Sequence, residues 1–115
     1  LCCSAQEIDL DDLKQNVLYS AQQEDNFWRV VKSFTMSERK KLLQFITGSP
    51  STPANGIKGI SPKIQIQSSY LPGDSLPISH TCFNQLELPS YSSYHTMHKQ
   101  ILLAINESNT GFGLA

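Results

Sequence analysis

The stretch TMSERKKLLQFITG, residues 35–48, leaves the fold the least freedom. Thr35 and Glu38 make a T-x-x-E capping box, in which the threonine side chain takes the backbone N–H three residues on and the glutamate reaches back to the cap. Met36, Leu42, Leu43, Phe45 and Ile46 then supply a core face, and Gly48 offers the backbone freedom that ends a helix. A helix bounded this firmly must bury its apolar stripe against something, and the rest of the chain supplies candidates on both sides.

Upstream, NFWRVVKSF (residues 26–34) reads as a strongly buried helix with Asn26 as its N-cap. EIDLDDLKQNVLYS (residues 7–20) predicts a short helix led by Asp9 or Asp11, with Leu10, Leu13, Val17 and Leu18 at helical spacing. Between them SAQQED has the composition of a linker. Downstream, SPSTPANG (residues 49–56) is a loop, SPKIQIQSS (residues 61–69) alternates like a half-exposed strand, and LPGDSLP (residues 71–77) is a turn. The run from His80 to Leu88 is strand material until Pro89 stops it. Ser92 or Ser93 caps a last helix with Tyr94, Met97, Ile101, Leu102 and Ile105 on its apolar side, followed by a tail, SNTGFGLA, that its two glycines make flexible. The expected architecture is α+β (mixed α/β), a small sheet packed with several helices.

A chain of 115 residues is enough for one core. With a net charge of -1 and its densest basic group, Arg39 to Lys41, on a helix face, it shows no stripe for nucleic acid. No apolar run approaches the ~20 residues of a membrane span, which predicts a soluble chain without a membrane partner. It opens at Leu1 in apolar residues, as a piece of a longer protein would. The three cysteines, with Cys2 and Cys3 adjacent, make no even disulfide framework and point to a reducing, intracellular setting.

Cys82 stands alone in SHTCFN, residues 79–84. A zinc site could count His80, Cys82, His95 and His98, but lacks the closely spaced cysteine pairs of structural zinc. A papain-like hydrolase would need an activating histidine and an oxyanion motif; no glycine-flanked motif surrounds the cysteine, and a strand would hold His80 about 6.5–7 Å along from it. Thioester exchange asks less: the attacking and departing sulfurs are alike, and a free thiol with pKa about 8.5 is a few per cent thiolate at neutral pH. From the hexapeptide alone, an inert buried cysteine stands beside these three.

Residues 76–115, LPISHTCFNQLELPSYSSYHTMHKQILLAINESNTGFGLA, resemble the end of the HECT-type ubiquitin ligases, with its LP-x-x-x-TCFN-x-L-x-LP-x-Y-x-S pattern and GFG-like tail. NFWRVVKSFTMSERKKLLQFITGSPSTPANGI, residues 26–57, is similar to that family's FW-x-V, E-R-x-x-LLQF-x-TG and loop. The resemblance implies that residues 1–20 are the tail end of the larger N-terminal lobe, 21–25 a hinge, shorter than usual, and 26–115 the C-terminal catalytic lobe. It implies that Cys82 accepts ubiquitin from a conjugating enzyme as a thioester and passes it to a substrate lysine. Thr81 would orient the thioester by a hydrogen bond. His80 and Asn84 would support the loop that Pro77 and Pro89 bracket, and Phe112 would enter an apolar groove when the lobes close. Asp74, Glu87, Glu107 and the carboxylate of Ala115 are the groups that could take the lysine proton. The partners implied are ubiquitin, a conjugating enzyme docked through the missing lobe, and a protein substrate. No metal, nucleotide or organic cofactor is implied, and the setting is cytoplasmic or nuclear. The alternative is a non-catalytic ubiquitin-binding module that keeps the fold.

Overall fold

The capping box forms as expected and anchors the middle of the molecule. In the computed structural model, which describes residues 9–49 and 56–114, the last of these from residue 108 as backbone alone, helix α3 spans Met36–Thr47. Thr35 Oγ1 accepts from the Glu38 amide at 3.1 Å and Glu38 Oε1 accepts from the Thr35 amide at 2.9 Å. Gly48 closes the helix with φ +78°, its amide bonded to the Gln44 carbonyl.

Helix α2, Glu24–Ser33, begins before Asn26, so Asn26 lies inside the helix and Gln23 is its N-cap. Glu24 and Asp25 fill the first turn, where carboxylates complement the exposed amides and the positive end of the helix dipole. Glu24 also accepts from the Trp28 indole at 3.0 Å. The upstream helix is shorter than its apolar spacing predicts: α1 covers only Leu10–Gln15, capped by Asp9. Val17–Tyr19 form strand β1 instead, because pairing with Ile64–Ile66 satisfies their backbone and still buries Val17.

The sheet continues with β2, Ile64–Ser68; β3, Ile78–His80; and β4, Gln85–Leu88, in the order β1-β2-β4-β3. The β1–β2 and β2–β4 pairs are parallel, and β3–β4 is antiparallel. The period of two sorts the side chains: Ile64, Ile66, Leu86 and Leu88 are buried, while Gln65, Gln67, Gln85 and Glu87 remain partly exposed on the opposite face. Helices α2, α3 and α4 cover the apolar face, with Phe27, Val30, Val31, Leu42, Ile46, Met97, Ile101 and Ile105 in one continuous core. The fold is thus the expected mixed α+β arrangement.

Helix α4 spans Tyr94–Leu114, with Ser93 Oγ accepting from the Thr96 amide at 3.2 Å. It runs through Gly111 and Gly113, where the glycines predict a flexible tail. Extending a helix already seated on the core adds a hydrogen bond for each residue fixed, which offsets glycine's penalty of roughly 1 kcal/mol. The span predicted for the hinge, residues 21–25, covers the end of the β1–α2 connection and the first two residues of α2, Glu24 and Asp25, and β1 pairs with β2 beyond it. Cys2, Cys3 and most of the loop 49–56 lie outside the described residues. Among the described residues, no helix is long and apolar enough to cross a membrane.

Candidate functional site

The run His80–Leu88 is broken at the Cys82 segment. After β3, residues Thr81–Phe83 make one turn of 3-10 helix, and Asn84 reverses the chain with φ 52° before β4 begins. Asparagine tolerates this left-handed conformation better than other residues with a side chain. The turn lifts Cys82 out of the ladder and leaves it exposed. Phe83 beside it is 65% exposed, a placement that strand-like alternation hides in the sequence.

Asn84 fixes the turn from below. It is 7% exposed, and its Nδ2 donates to the Pro62 carbonyl at 2.6 Å. Its own carbonyl accepts the Gln65 amide at 3.0 Å, and its amide reaches the Thr81 carbonyl at 3.4 Å. The residue that ends the Cys82 turn is thereby tied to β2 and to the segment leading into it. The two bracketing prolines, Pro77 and Pro89, are both buried. Between them and α4, Tyr91 is fully buried and donates to the Ser75 carbonyl at 2.7 Å, tying the 71–77 loop to the segment after β4. Burial pushes the Tyr91 phenol above its ordinary range.

His80 closes β3 and shares the polar sheet face with Glu87. Its pairing partner across the ladder is Gln85, and Glu87 pairs with Ile78, so the two side chains meet on the diagonal. His80 Nε2 lies 3.1 Å from Glu87 Oε2, with both side chains partly exposed.

The other histidines are differently employed. His98 packs edge-on against Phe34, with ring centroids 5.6 Å apart, and tilts against Tyr94 at 5.9 Å. His95 is exposed on α4. Among the described residues no three His, Cys, Asp or Glu side chains gather where they could hold a metal ion. The structure therefore brings His80, Thr81, Cys82 and Asn84 together on one turn, with Glu87 beside His80. The backbone of Phe112 belongs to α4, and its side chain lies outside what the structure describes. Of the other carboxylates, Asp74 is exposed in the loop before β3, its carbonyl accepting from the Gln100 amide group, and Glu107 is exposed on α4.

A model of the HECT domain, described as a ubiquitin-transferase domain, matches residues 1–115. The chain belongs to the HECT family. Its relatives include the probable E3 ubiquitin-protein ligase TOM1 of Eremothecium gossypii, 49% identical over 95% of this chain. E3 ubiquitin-protein ligase TOM1 of Saccharomyces cerevisiae is 47% identical over 95%, and E3 ubiquitin-protein ligase HUWE1 of Mus musculus is 42% identical over 94%. The chain spans only 4% of the length of each TOM1 protein and 3% of HUWE1. What it represents is a region of the HECT catalytic domain. Gly48, which the sequence marks only as a helix terminator, also stands against Thr81. No spacing in the sequence connects the two positions.

Proposed function

We propose that this chain is the ubiquitin-accepting lobe of a HECT-type ligase and that Cys82 carries the acyl group. The observation that supports this most is the exposure of Cys82 on a rigidly tethered turn, within a chain of the HECT family. A nucleophile that must receive one protein and surrender it to another has to be reachable on both occasions.

In the first step the Cys82 thiolate attacks the carbonyl carbon of ubiquitin's C-terminal thioester; the new C–S bond forms as the old one breaks, and the conjugating enzyme's thiolate leaves. In the second, a neutral lysine amine attacks the Cys82 thioester, the amide bond forms and the Cys82 thiolate departs. An ammonium with pKa about 10.4 cannot attack, so a proton must be removed. The His80–Glu87 pair, at the start of the turn, is the proton-handling group we assign to that step. Thr81 and Asn84 hold the turn, and Phe112 acts when the lobes meet. The conjugating enzyme docks on the other lobe of the ligase, in an intracellular setting, and this lobe alone engages it weakly.

The test uses the full ligase with activating enzyme, conjugating enzyme and ubiquitin. A thiol-sensitive ubiquitin adduct should form, vanish in Cys82→Ala, and persist when Cys2 and Cys3 are both replaced by alanine. An undiminished adduct in Cys82→Ala would move the chemistry to another residue. No adduct in the parent protein would leave a ubiquitin-binding module.

A further inference from the structure

The end of α3 and the Cys82 turn meet at a single close point. A methyl group placed on Gly48 would stand 3.1 Å from Thr81 Cβ, 3.3 Å from Cγ2 and 3.6 Å from Oγ1. Carbon atoms pack at about 3.5–4.0 Å, so the present fit exists because position 48 has no side chain. Thr81 is the first residue of the turn, and Cys82 follows it directly.

We propose that Gly48 is a positioning residue for Cys82, a role that rests on Cys82 being the ubiquitin acceptor. The helix end serves as the floor on which Thr81 sits, while Asn84 holds the far end of the same turn through Pro62 and Gln65. Cys82 and Phe83 lie between these two anchors, so the backbone that carries the sulfur is held from both sides. A side chain at position 48 would press on Thr81 and displace the turn. The Asn84 tether prevents the whole turn from moving as a unit, and the displacement falls on Thr81 and Cys82.

Backbone strain and crowding make separable predictions, because a second glycine supplies the control. Gly56 has φ +85° and ψ -163°, a region open essentially to glycine alone, yet a methyl group there meets nothing within 4 Å. Gly48, at φ +78° and ψ 0°, is in the milder left-handed region. If strain alone governed, Gly56→Ala would be the more damaging change.

The experiment measures two rates on the 115-residue chain and its variants. One is transfer of ubiquitin to Cys82 from a ubiquitin C-terminal alkyl thioester, which needs no conjugating enzyme. The other is alkylation of Cys82 by iodoacetamide, followed by peptide mass spectrometry. At equal folded fraction, Gly48→Ala should slow ubiquitin acceptance by roughly tenfold, below the hundredfold that a full 1 Å misplacement can cost. Alkylation should change less than about twofold, since a small reagent approaches from many directions. Gly56→Ala should lower thermal stability and leave both rates per folded molecule unchanged. Gly48→Asn, which eases the backbone strain but keeps the added carbon, should slow acceptance as Gly48→Ala does.

Normal acceptance in Gly48→Ala, an equal slowing in Gly56→Ala, or failure of both Gly48 variants to fold would overturn the proposal and leave Gly48 a helix terminator. A wild-type chain that alkylates but takes no ubiquitin would overturn the reading of Cys82 itself, and this inference with it.

Discussion

Replacing Asn84 separates the two things that the residue does. With φ 52° it occupies the left-handed region, where an ordinary L-residue costs roughly 1–2 kcal/mol. Its side chain also donates to the Pro62 carbonyl, a bond whose net value is about 1 kcal/mol because the exposed Pro62 can regain water when it is lost. Asn84→Ala loses both terms and should destabilise by about 2–3 kcal/mol. Asn84→Gly loses the hydrogen bond but keeps the conformation, and its cost should be about 1–2 kcal/mol once glycine's extra freedom in the unfolded chain is included. For a chain of 115 residues, 1 kcal/mol corresponds to about 4 °C in Tm, so alanine should lower Tm by about 8–12 °C and glycine by about 4–8 °C. Urea unfolding followed by the fluorescence of Trp28, the single tryptophan and a core residue, gives the free energies directly. The decisive quantity is the order: wild type, then glycine, then alanine. An alanine variant as stable as the glycine variant would refute the claim that Asn84 is there for its left-handed backbone.

Three further outcomes are expected. Glu87→Gln removes the charge facing His80 and should slow discharge of the Cys82 thioester to lysine by roughly tenfold, and discharge more than formation; single-turnover assays read the two steps separately. Phe112→Ala should slow transfer to lysine while leaving the unfolding free energy from urea titration within about 0.5 kcal/mol of wild type, which separates a role in transfer from one in stability. The Tyr91 phenol, raised by burial from an ordinary 10.0, keeps its proton when folded at pH values where the unfolded chain releases it. The stability it contributes is complete below about pH 10 and declines above it by up to about 1.4 kcal/mol per pH unit, so Tyr91→Phe should flatten the alkaline fall in urea midpoints.

Where a local rule had nothing to compete with it, the sequence was readable. The Thr35–Glu38 box and Gly48 bound α3 as predicted, and the alternation of Ile64 and Ile66 marked β2. The errors came where pairing across the chain decides the outcome. Val17 and Leu18 fit a helical stripe with Leu10 and Leu13, and only the parallel partner Ile64–Ile66, far along the chain, turns them into a strand. The motif around Cys82 marks it as the candidate acceptor, but its turn is hidden, because His80–Leu88 reads as unbroken strand until Asn84 is known to be left-handed. The meeting of His80 with Glu87 depends on the register of β3 against β4, and that of Gly48 with Thr81 on how α3 lies against the turn. Register and helix placement are tertiary facts that no local pattern encodes.

These same tertiary contacts explain how an exposed residue can be well positioned. Exposure ordinarily costs order, because a solvated loop has few contacts to choose one conformation from many. The Cys82 turn escapes this by placing its contacts on the residues to either side of the sulfur. Thr81 meets the end of α3, Asn84 is bonded to the entry of β2, and the turn is flanked by β3 and β4, which pair with each other. Fixing a short turn at both ends removes much of its conformational freedom in advance, the entropic advantage that the acceptor role proposed for Cys82 would draw on. A looser turn would leave Cys82 as accessible to iodoacetamide but poorer at accepting ubiquitin, and that divergence between two reagents of very different size is what the Gly48 variants are built to detect.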